Sequence, residues 1–244
     1  MGSARAAPHW ATARSPLLPL PPPPQIKSIV FGGLDGIITT FSTIASVAGG
    51  GLGLNTVIVL GFANLIADGI AMGVGDGLSS KAEQDFLNSE KKREEWEYQN
   101  HPDGERREMV EILKGKGFTD EDAVELISIV SQPKHREFFI DYMMVEELGE
   151  QAPDDPWGPL KEGSITFISF LIFGTVPMWV YIACYAAGYK DADATFGIAA
   201  AATVVTLFAL GATQGSITRQ SIIKSGTLMT INGSFASAAA YLVR

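Results

Sequence analysis

Two side chains with metal-binding chemistry, the carboxylate of Asp35 and the thioether of Met72, lie in apolar segments of the sequence. A carboxylate within a membrane span is costly unless it is paired, solvated or protonated, and Gly33 and Gly36 beside Asp35 leave room for another helix or an ion. A thioether accepts transition metals but binds calcium or magnesium poorly. The pair therefore predicts a pathway for a divalent cation. The alternatives are a carboxylate that bonds a neighbouring helix and a methionine that only packs.

Polar residues at helical spacing from Met72 extend this pathway. Asp68 lies one helical turn before Met72, and Asn64 lies a further turn before Asp68, so the three side chains share one face of a helix. Asp76 continues the line in the other direction, and we expect it at the cytosolic mouth. The expected transport-pathway residues are therefore Asp35, Asn64, Asp68 and Met72.

A second group of candidate ligands is a set of glutamates spaced by three residues. Glu94 and Glu97 have this spacing, as do Glu105 and Glu108, and it places carboxylates on one side of a helix. Like charges repel one another there, and a bound cation would remove the repulsion. The alternative is a solvated acidic face whose carboxylates pair with the interleaved basic residues Lys91, Lys92, Arg93, Arg106 and Arg107.

Methionines follow further along the chain and add sulfur to these oxygens. Met143 and Met144 are followed by Glu146 and Glu147. We expect the two thioethers to be exposed beside the carboxylates, which is unusual for methionine. A site that combines both ligand types would suit a transition metal.

Five apolar segments indicate an all-α membrane protein, because each is long enough to cross about 30 Å of hydrocarbon as a helix. The segments lie at about 26–48, 54–78, 162–187, 193–215 and 224–243. The second continues without a turn signal into a charged, helix-favouring stretch. One helix over residues 54–100 would be roughly 70 Å long, so less than half of it would lie in the bilayer.

The charged insert after this long helix is expected to fold as three short helices. The sequence HPDG at 101–104 predicts the turn before them. Glycines end the first helix, 104–117, and a capping box at Thr119 begins the second. Pro133 begins the third, which Gly149 ends.

The chain therefore divides into four parts with a predicted orientation. They are a disordered Pro-rich arm (1–25), two membrane helices (26–80), a cytosolic helical metal-binding insert (81–158) and three further membrane helices (159–244). Lys27, the insert, Arg219 and Lys224 fall on one side of the membrane and only Lys190 falls on the other. The positive-inside rule then places the amino terminus and the insert in the cytosol.

Composition argues against several other functions. The net charge is −9, and the segment 81–150 holds 19 of the 27 acidic residues, so no basic stripe is available for nucleic acid. The single cysteine, Cys184, cannot form an internal disulfide, and the three scattered histidines do not suggest a zinc site. The Glu-x-x-His pairs of a di-iron oxidase are absent from the sequence, and we expect no enzymatic activity.

Three long motifs resemble one known family. FGGLDGIITTFSTIASVAGGGL, ANLIADGIAMGVGDGLSSKAEQDF and MMVEELG occur in this order, and together they resemble the vacuolar iron transporter family from about Ile26 to the carboxyl end. The resemblance implies a homodimer with five membrane helices per subunit and an ion path at the subunit interface. It also implies exchange of cytosolic ferrous iron for protons across the membrane of an acidic, vacuole-like store. Manganese is a second possible cargo, and no permanently bound cofactor is implied.

The resemblance assigns roles to individual residues. The family's pathway Asp and Met match Asp35 and Met72, and its cytosolic ligands match Glu94, Glu97, Glu105, Glu108, Met143, Met144 and Glu147. Ser28 and Asn64 stand where plant members have acidic residues, and Asp68 could compensate because it lies on nearly the same face as Asn64. The alternative functions are a manganese-preferring or broad divalent exporter and a membrane metal sensor that does not transport.

Overall fold

The computed structural model describes residues 24–51, 53–150, 155–189 and 191–242, and it contains helices, turns and loops but no strands in these ranges. The all-α class expected from the sequence is confirmed for them. The eight α-helices of the described residues are α1 (Pro24–Gly49), α2 (Leu54–Asn100), α3 (Pro102–Gly115), α4 (Asp120–Val130), α5 (Arg136–Met143), α6 (Gly158–Ala186), α7 (Ala192–Ile217) and α8 (Ile222–Leu242).

Parts of two expectations fall outside the described residues. Pro24 begins α1, and residues 1–23 of the expected Pro-rich arm lie outside the described ranges. Lys190, which contributed to the expected orientation, also lies outside them.

Four helices in the described residues are long and apolar enough to cross a membrane, which is the pattern of a multi-pass membrane protein. They cover Gln25–Val47, Asn55–Asn100, Gly158–Cys184 and Ala194–Ile217. The fifth expected span forms α8, which is not among these four, so a fifth crossing stays a prediction. The single long helix expected over 54–100 is confirmed, since α2 continues unbroken for 47 residues.

The contacts of the chain divide it into two compact units. The membrane unit contains α1, α2 as far as Gly73, and the chain from Ser164 onwards. The insert unit contains residues Val74–Gly163.

Glycines determine how α1 packs in the membrane unit. Gly32 and Gly36 face α6, where a Cβ atom at Gly32 would collide with the carbonyl of Thr166 and one at Gly36 would lie 2.5 Å from the carbonyl oxygen of Phe170. Small residues four apart allow two helix backbones to approach closely in lipid, where no hydrophobic force drives helices together. Residues of α1 and α6 therefore pack backbone against backbone.

A small apolar core holds the insert unit together. Met109 and Leu113 of α3 pack with Ile127 of α4 and with Phe139 and Met143 of α5, and each of these side chains is at most 2% exposed. The expected cap at the start of α4 is present, because the Thr119 side chain accepts a hydrogen bond of 3.1 Å from the backbone N–H of Asp122.

The insert differs from the sequence prediction at its two proline positions. Only His101 separates α2 from α3, because Pro102 takes the first position of α3 instead of extending a turn. The expected third helix consists of three pieces: a 3-10 turn at Pro133–His135, the short helix α5, and a π-helical turn at Met144–Leu148. Gly149 ends it as expected, with a left-handed φ of 71°.

Candidate metal sites

Three glutamates of the insert unit converge on one point. One carboxylate oxygen from each of Glu94, Glu97 and Glu105 lies within 4.8 Å of the corresponding atoms of the other two. Glu94 and Glu97 lie in the last two turns of α2, and Glu105 lies in the first turn of α3. Because His101 alone separates the helices, carboxylates from both can meet. We call these three residues the glutamate cluster.

Two of the three carboxylates in this cluster are buried, which distinguishes it from a solvated acidic surface. Glu94 is 0% exposed and Glu105 is 8% exposed. The Oε2 atom of Glu94 is buried and has no hydrogen-bond partner among the described residues. A buried charged oxygen without a partner is strongly unfavourable. A cation bound between the three carboxylates would supply that partner, and divalent metals take such oxygen ligands at about 2.0–2.6 Å.

The same burial changes the acidity of the cluster. Burial raises the pKa of Glu94 to about 7, the neighbouring carboxylates of Glu147 and Glu97 add to the rise, and a hydrogen bond from Arg93 opposes it. Burial also raises the pKa of Glu105 and of Glu147, again with help from nearby carboxylates. Protons and cations would therefore compete for the carboxylate of Glu94 near neutral pH.

We expect Glu94→Gln to stabilise the metal-free protein more at pH 8 than at pH 5. Since the folded-state pKa of Glu94 is raised from 4.5 to about 7, the folded state binds the extra proton. The stability that this proton provides is complete below about pH 4.5 and is lost as pH rises through about 7. Glutamine stays neutral, so its relative gain should grow by about 2 kcal/mol between pH 5 and pH 8.

Thermal unfolding in detergent with a chelator at both pH values measures this difference. Glu111→Gln is the matched control, since it removes a carboxylate that is 70% exposed and pairs with Lys114, and its effect on stability should be smaller than that of Glu94→Gln. An equal effect of Glu94→Gln at both pH values would contradict the raised pKa.

Basic residues pair with several of these carboxylates, as the alternative reading of the sequence proposed. Arg93 forms ion pairs with Glu90, Glu94, Glu97 and Glu147. These are partly buried pairs inside the insert, and the cluster therefore already contains a cationic group of its own.

The methionine pair is not exposed, and that expectation was wrong. Met143 and Met144 are both 0% exposed, and Met143 packs in the core of the insert. Burial of an apolar side chain is favourable, and these two residues follow the apolar face of α5 into the π-helical turn. Glu147, in that turn, is brought near the cluster, since its Oε1 lies 3.7 Å from Nη2 of Arg93.

Glu108 and Glu146 occupy different surroundings. Glu108 is exposed on α3, within electrostatic range of Glu105 and Glu147. Glu146 pairs with Lys116 at the end of α3. Glu108 therefore interacts with residues of the expected ligand set.

Three of the four expected pathway residues lie close together in the membrane unit. The side-chain amide of Asn64 donates to Oδ2 of Asp68 at 2.8 Å and to the hydroxyl oxygen of Thr43 at 3.2 Å. Asp68 is in turn within electrostatic range of Asp35. Two carboxylates and an amide of α1 and α2 thus form one polar group between apolar helices. Met72, half-buried, follows on the next turn of α2.

The space beside Asp35 is filled by other helices of the same chain. Gly36 faces the Phe170 backbone, and a Cβ atom at Gly33 would lie 2.8 Å from Cδ2 of Phe173. The sequence suggested that these glycines make room either for another helix or for an ion. In the structure they make room for another helix. Thr43, a partner of Asn64, was not foreseen, although it lies two helical turns after Asp35 on α1.

Comparisons with known proteins identify the family of this chain. The model of the VIT family matches residues 26–244. The chain is 42% identical over 220 residues to a vacuolar iron transporter of Toxoplasma gondii, covering 88% of this chain and 72% of that protein. It is 39% identical over 222 residues to one of Plasmodium falciparum, covering 90% and 81%. It is 30% identical over 219 residues to vacuolar iron transporter 1 of Arabidopsis thaliana, covering 88% and 83%. The chain therefore belongs to the VIT family.

Proposed function

We propose that this protein moves ferrous iron from the cytosol into an acidic, vacuole-like store in exchange for protons. The observation that carries the proposal is the polar group of Asp35, Asn64 and Asp68 inside helices apolar enough to span a membrane. Charged residues within spans are costly and usually mark ion or proton pathways. The names of the similar proteins, vacuolar iron transporters, support iron as the cargo.

The insert supplies the first step of the mechanism. The glutamate cluster binds cytosolic ferrous ions, with Glu108 and Glu147 contributing negative charge around it. The buried Oε2 atom of Glu94, which has no hydrogen-bond partner among the described residues, is available to bind a divalent ion. Met143 and Met144 are buried in the same unit, and their thioethers would add soft ligands for a transition ion.

The membrane helices supply the second step. Two copies of the chain form a homodimer, and an ion passes between them while Asp35 and Met72 of each copy bind it. A carboxylate with a thioether favours a transition ion over calcium or magnesium. Protons from the acidic side neutralise the carboxylates, which weakens the metal site and releases the ion. Inward proton flow thus drives iron out of the cytosol.

Uptake of ferrous iron by proteoliposomes under an imposed pH gradient tests this function. With an acidic interior, the purified protein should take up iron and raise the internal pH, and collapse of the gradient should stop both. Binding of iron to the protein without uptake would instead favour the metal-sensor alternative. If manganese suppresses iron uptake at equal concentration, the broad divalent exporter is the better description.

A further inference from the structure

Arg93 lies among the carboxylates of the glutamate cluster. Its Nη1 atom is 2.6 Å from Glu90, its Nη2 atom is 3.1 Å from Glu94 and 3.7 Å from Glu147, and its Nε atom is 3.9 Å from Glu97. Glu94 and Glu97 are also two of the three members of the cluster. The guanidinium therefore binds the same carboxylates that a metal ion would need.

The guanidinium leaves the cluster only partly satisfied. It donates to Oε1 of Glu94, while Oε2 of the same carboxylate is buried without a partner in the described part of the chain. A guanidinium is a planar fork of donors suited to the edge of a carboxylate. A metal ion can instead be surrounded by oxygens from several directions. Arg93 therefore pairs with one oxygen of Glu94 and leaves Oε2 available to a cation.

The two partners differ in their freedom to move. The side chain of Arg93 is 44% exposed, whereas that of Glu94 is 0% exposed. The contact of Arg93 with Glu90, its shortest ion pair, lies outside the three-membered cluster. Arg93 can therefore turn toward Glu90 and solvent and keep a counter-charge, while Glu94 stays in place.

We propose that Arg93 is an exchangeable counter-ion of the glutamate cluster, which holds Glu94 and Glu97 between metal ions and releases both when a divalent cation binds. The inference rests on the proposed function, because it requires that the cluster binds the cargo. It also assigns Arg93 a part in selectivity. A monovalent cation that displaced the guanidinium would leave the total charge of the site unchanged. A divalent cation would make the site more positive by one charge, which an acidic site favours.

Removal of the guanidinium should strengthen metal binding. We expect Arg93→Gln to bind Mn²⁺ about tenfold more tightly than the wild type, because no positive charge then has to be displaced. Arg93→Lys keeps the charge and should bind like the wild type. Isothermal titration of Mn²⁺ into the full-length protein in detergent, at pH 7.5 and low ionic strength, measures the dissociation constants. A purely structural role would not produce tighter binding, since loss of a scaffold weakens a site.

Two further variants separate the possible failures. Arg136→Gln removes one charge from the same unit at an exposed pair with Glu95, and its affinity should remain near that of the wild type. Glu105→Gln should weaken Mn²⁺ binding by tenfold or more, about one charge-assisted contact. If Glu105→Gln weakens Mn²⁺ binding but Arg93→Gln does not strengthen it, the inference about Arg93 is wrong. The glutamate cluster would still be supported as the metal site. If Glu105→Gln binds like the wild type, the cluster is not the metal site and the inference about Arg93 fails with it, whereas the proposed transport is tested separately by uptake into proteoliposomes.

Discussion

Proteoliposomes containing Asp35→Asn are expected to lose uptake of ferrous iron under a pH gradient that drives uptake by the wild type. Asparagine has nearly the size of aspartate but cannot provide the negative charge that binds a cation or accepts a proton. Loss of one charged ligand costs about 1.5–3 kcal/mol, and the proposed homodimer would lose two, so uptake should fall by about 100-fold or more. Initial rates of iron entry and of internal pH change measure the loss.

The control for this variant is a carboxylate of similar chemistry on the surface. Asp103→Asn removes a charge from a side chain that is 86% exposed and pairs with Arg106, so transport should persist. Both variants should elute from a sizing column like the wild type. Full uptake by Asp35→Asn would remove Asp35 from the pathway, and the exchange mechanism proposed above would have to be abandoned.

Gly36→Leu is expected to prevent the membrane unit from packing. Even the first side-chain carbon at this position would lie 2.5 Å from the carbonyl oxygen of Phe170, far inside the normal contact distance. A backbone carbonyl cannot swing aside as a side chain can, so α1 and α6 must separate. Separation would also lengthen the hydrogen bond of 2.7 Å that the Ser169 hydroxyl of α6 donates to the carbonyl oxygen of Ile29 in α1. Overpacking costs about 1–3 kcal/mol or more.

The yield of monodisperse protein and its unfolding temperature measure this effect. Gly36→Ala should lower the unfolding temperature by several degrees, and Gly36→Leu should leave little folded protein. Gly197→Ala in α7 is the matched control, since no atom of the described residues, apart from the adjacent backbone of α7, lies within 4 Å of the added carbon. Alanine is the better helix former by about 1 kcal/mol, so this variant should be unchanged or slightly stabilised. Normal stability of Gly36→Leu would mean that α1 and α6 do not pack as described.

Local patterns in the sequence predicted the elements whose cause is itself local. The absence of a turn signal over residues 54–100 predicted the unbroken helix α2, and the Thr119 cap predicted where α4 begins. The spacing of Glu94 and Glu97 placed both on one side of α2, and Glu105 was recognised as part of the same acidic group. These features depend on residues that are close together in the sequence.

Features that depend on distant parts of the chain could not be predicted in this way. Spacing indicated an exposed methionine pair, but Met143 is buried by residues of α3, α4 and α5 that the sequence does not place around it. By spacing alone, Glu94 and Glu108 were equally good candidates for metal ligands. The fold, however, buries Glu94 completely and leaves Glu108 exposed. The glycines beside Asp35 predicted a neighbouring helix without identifying Phe170 or Phe173 as its contacts.

Because a single residue separates α2 from α3, insertions and deletions near this connection should disrupt the glutamate cluster. Each residue added to an α-helix rotates everything beyond it by about 100°. Because His101 is the single residue between α2 and α3, the connection is too short to compensate for such a rotation. One codon gained or lost between Glu97 and Glu105 would turn the two carboxylates away from each other, even though every amino acid of the site was retained. The spacing of eight positions between them should therefore tolerate substitutions but not changes of length, and natural insertions should accumulate elsewhere in the insert.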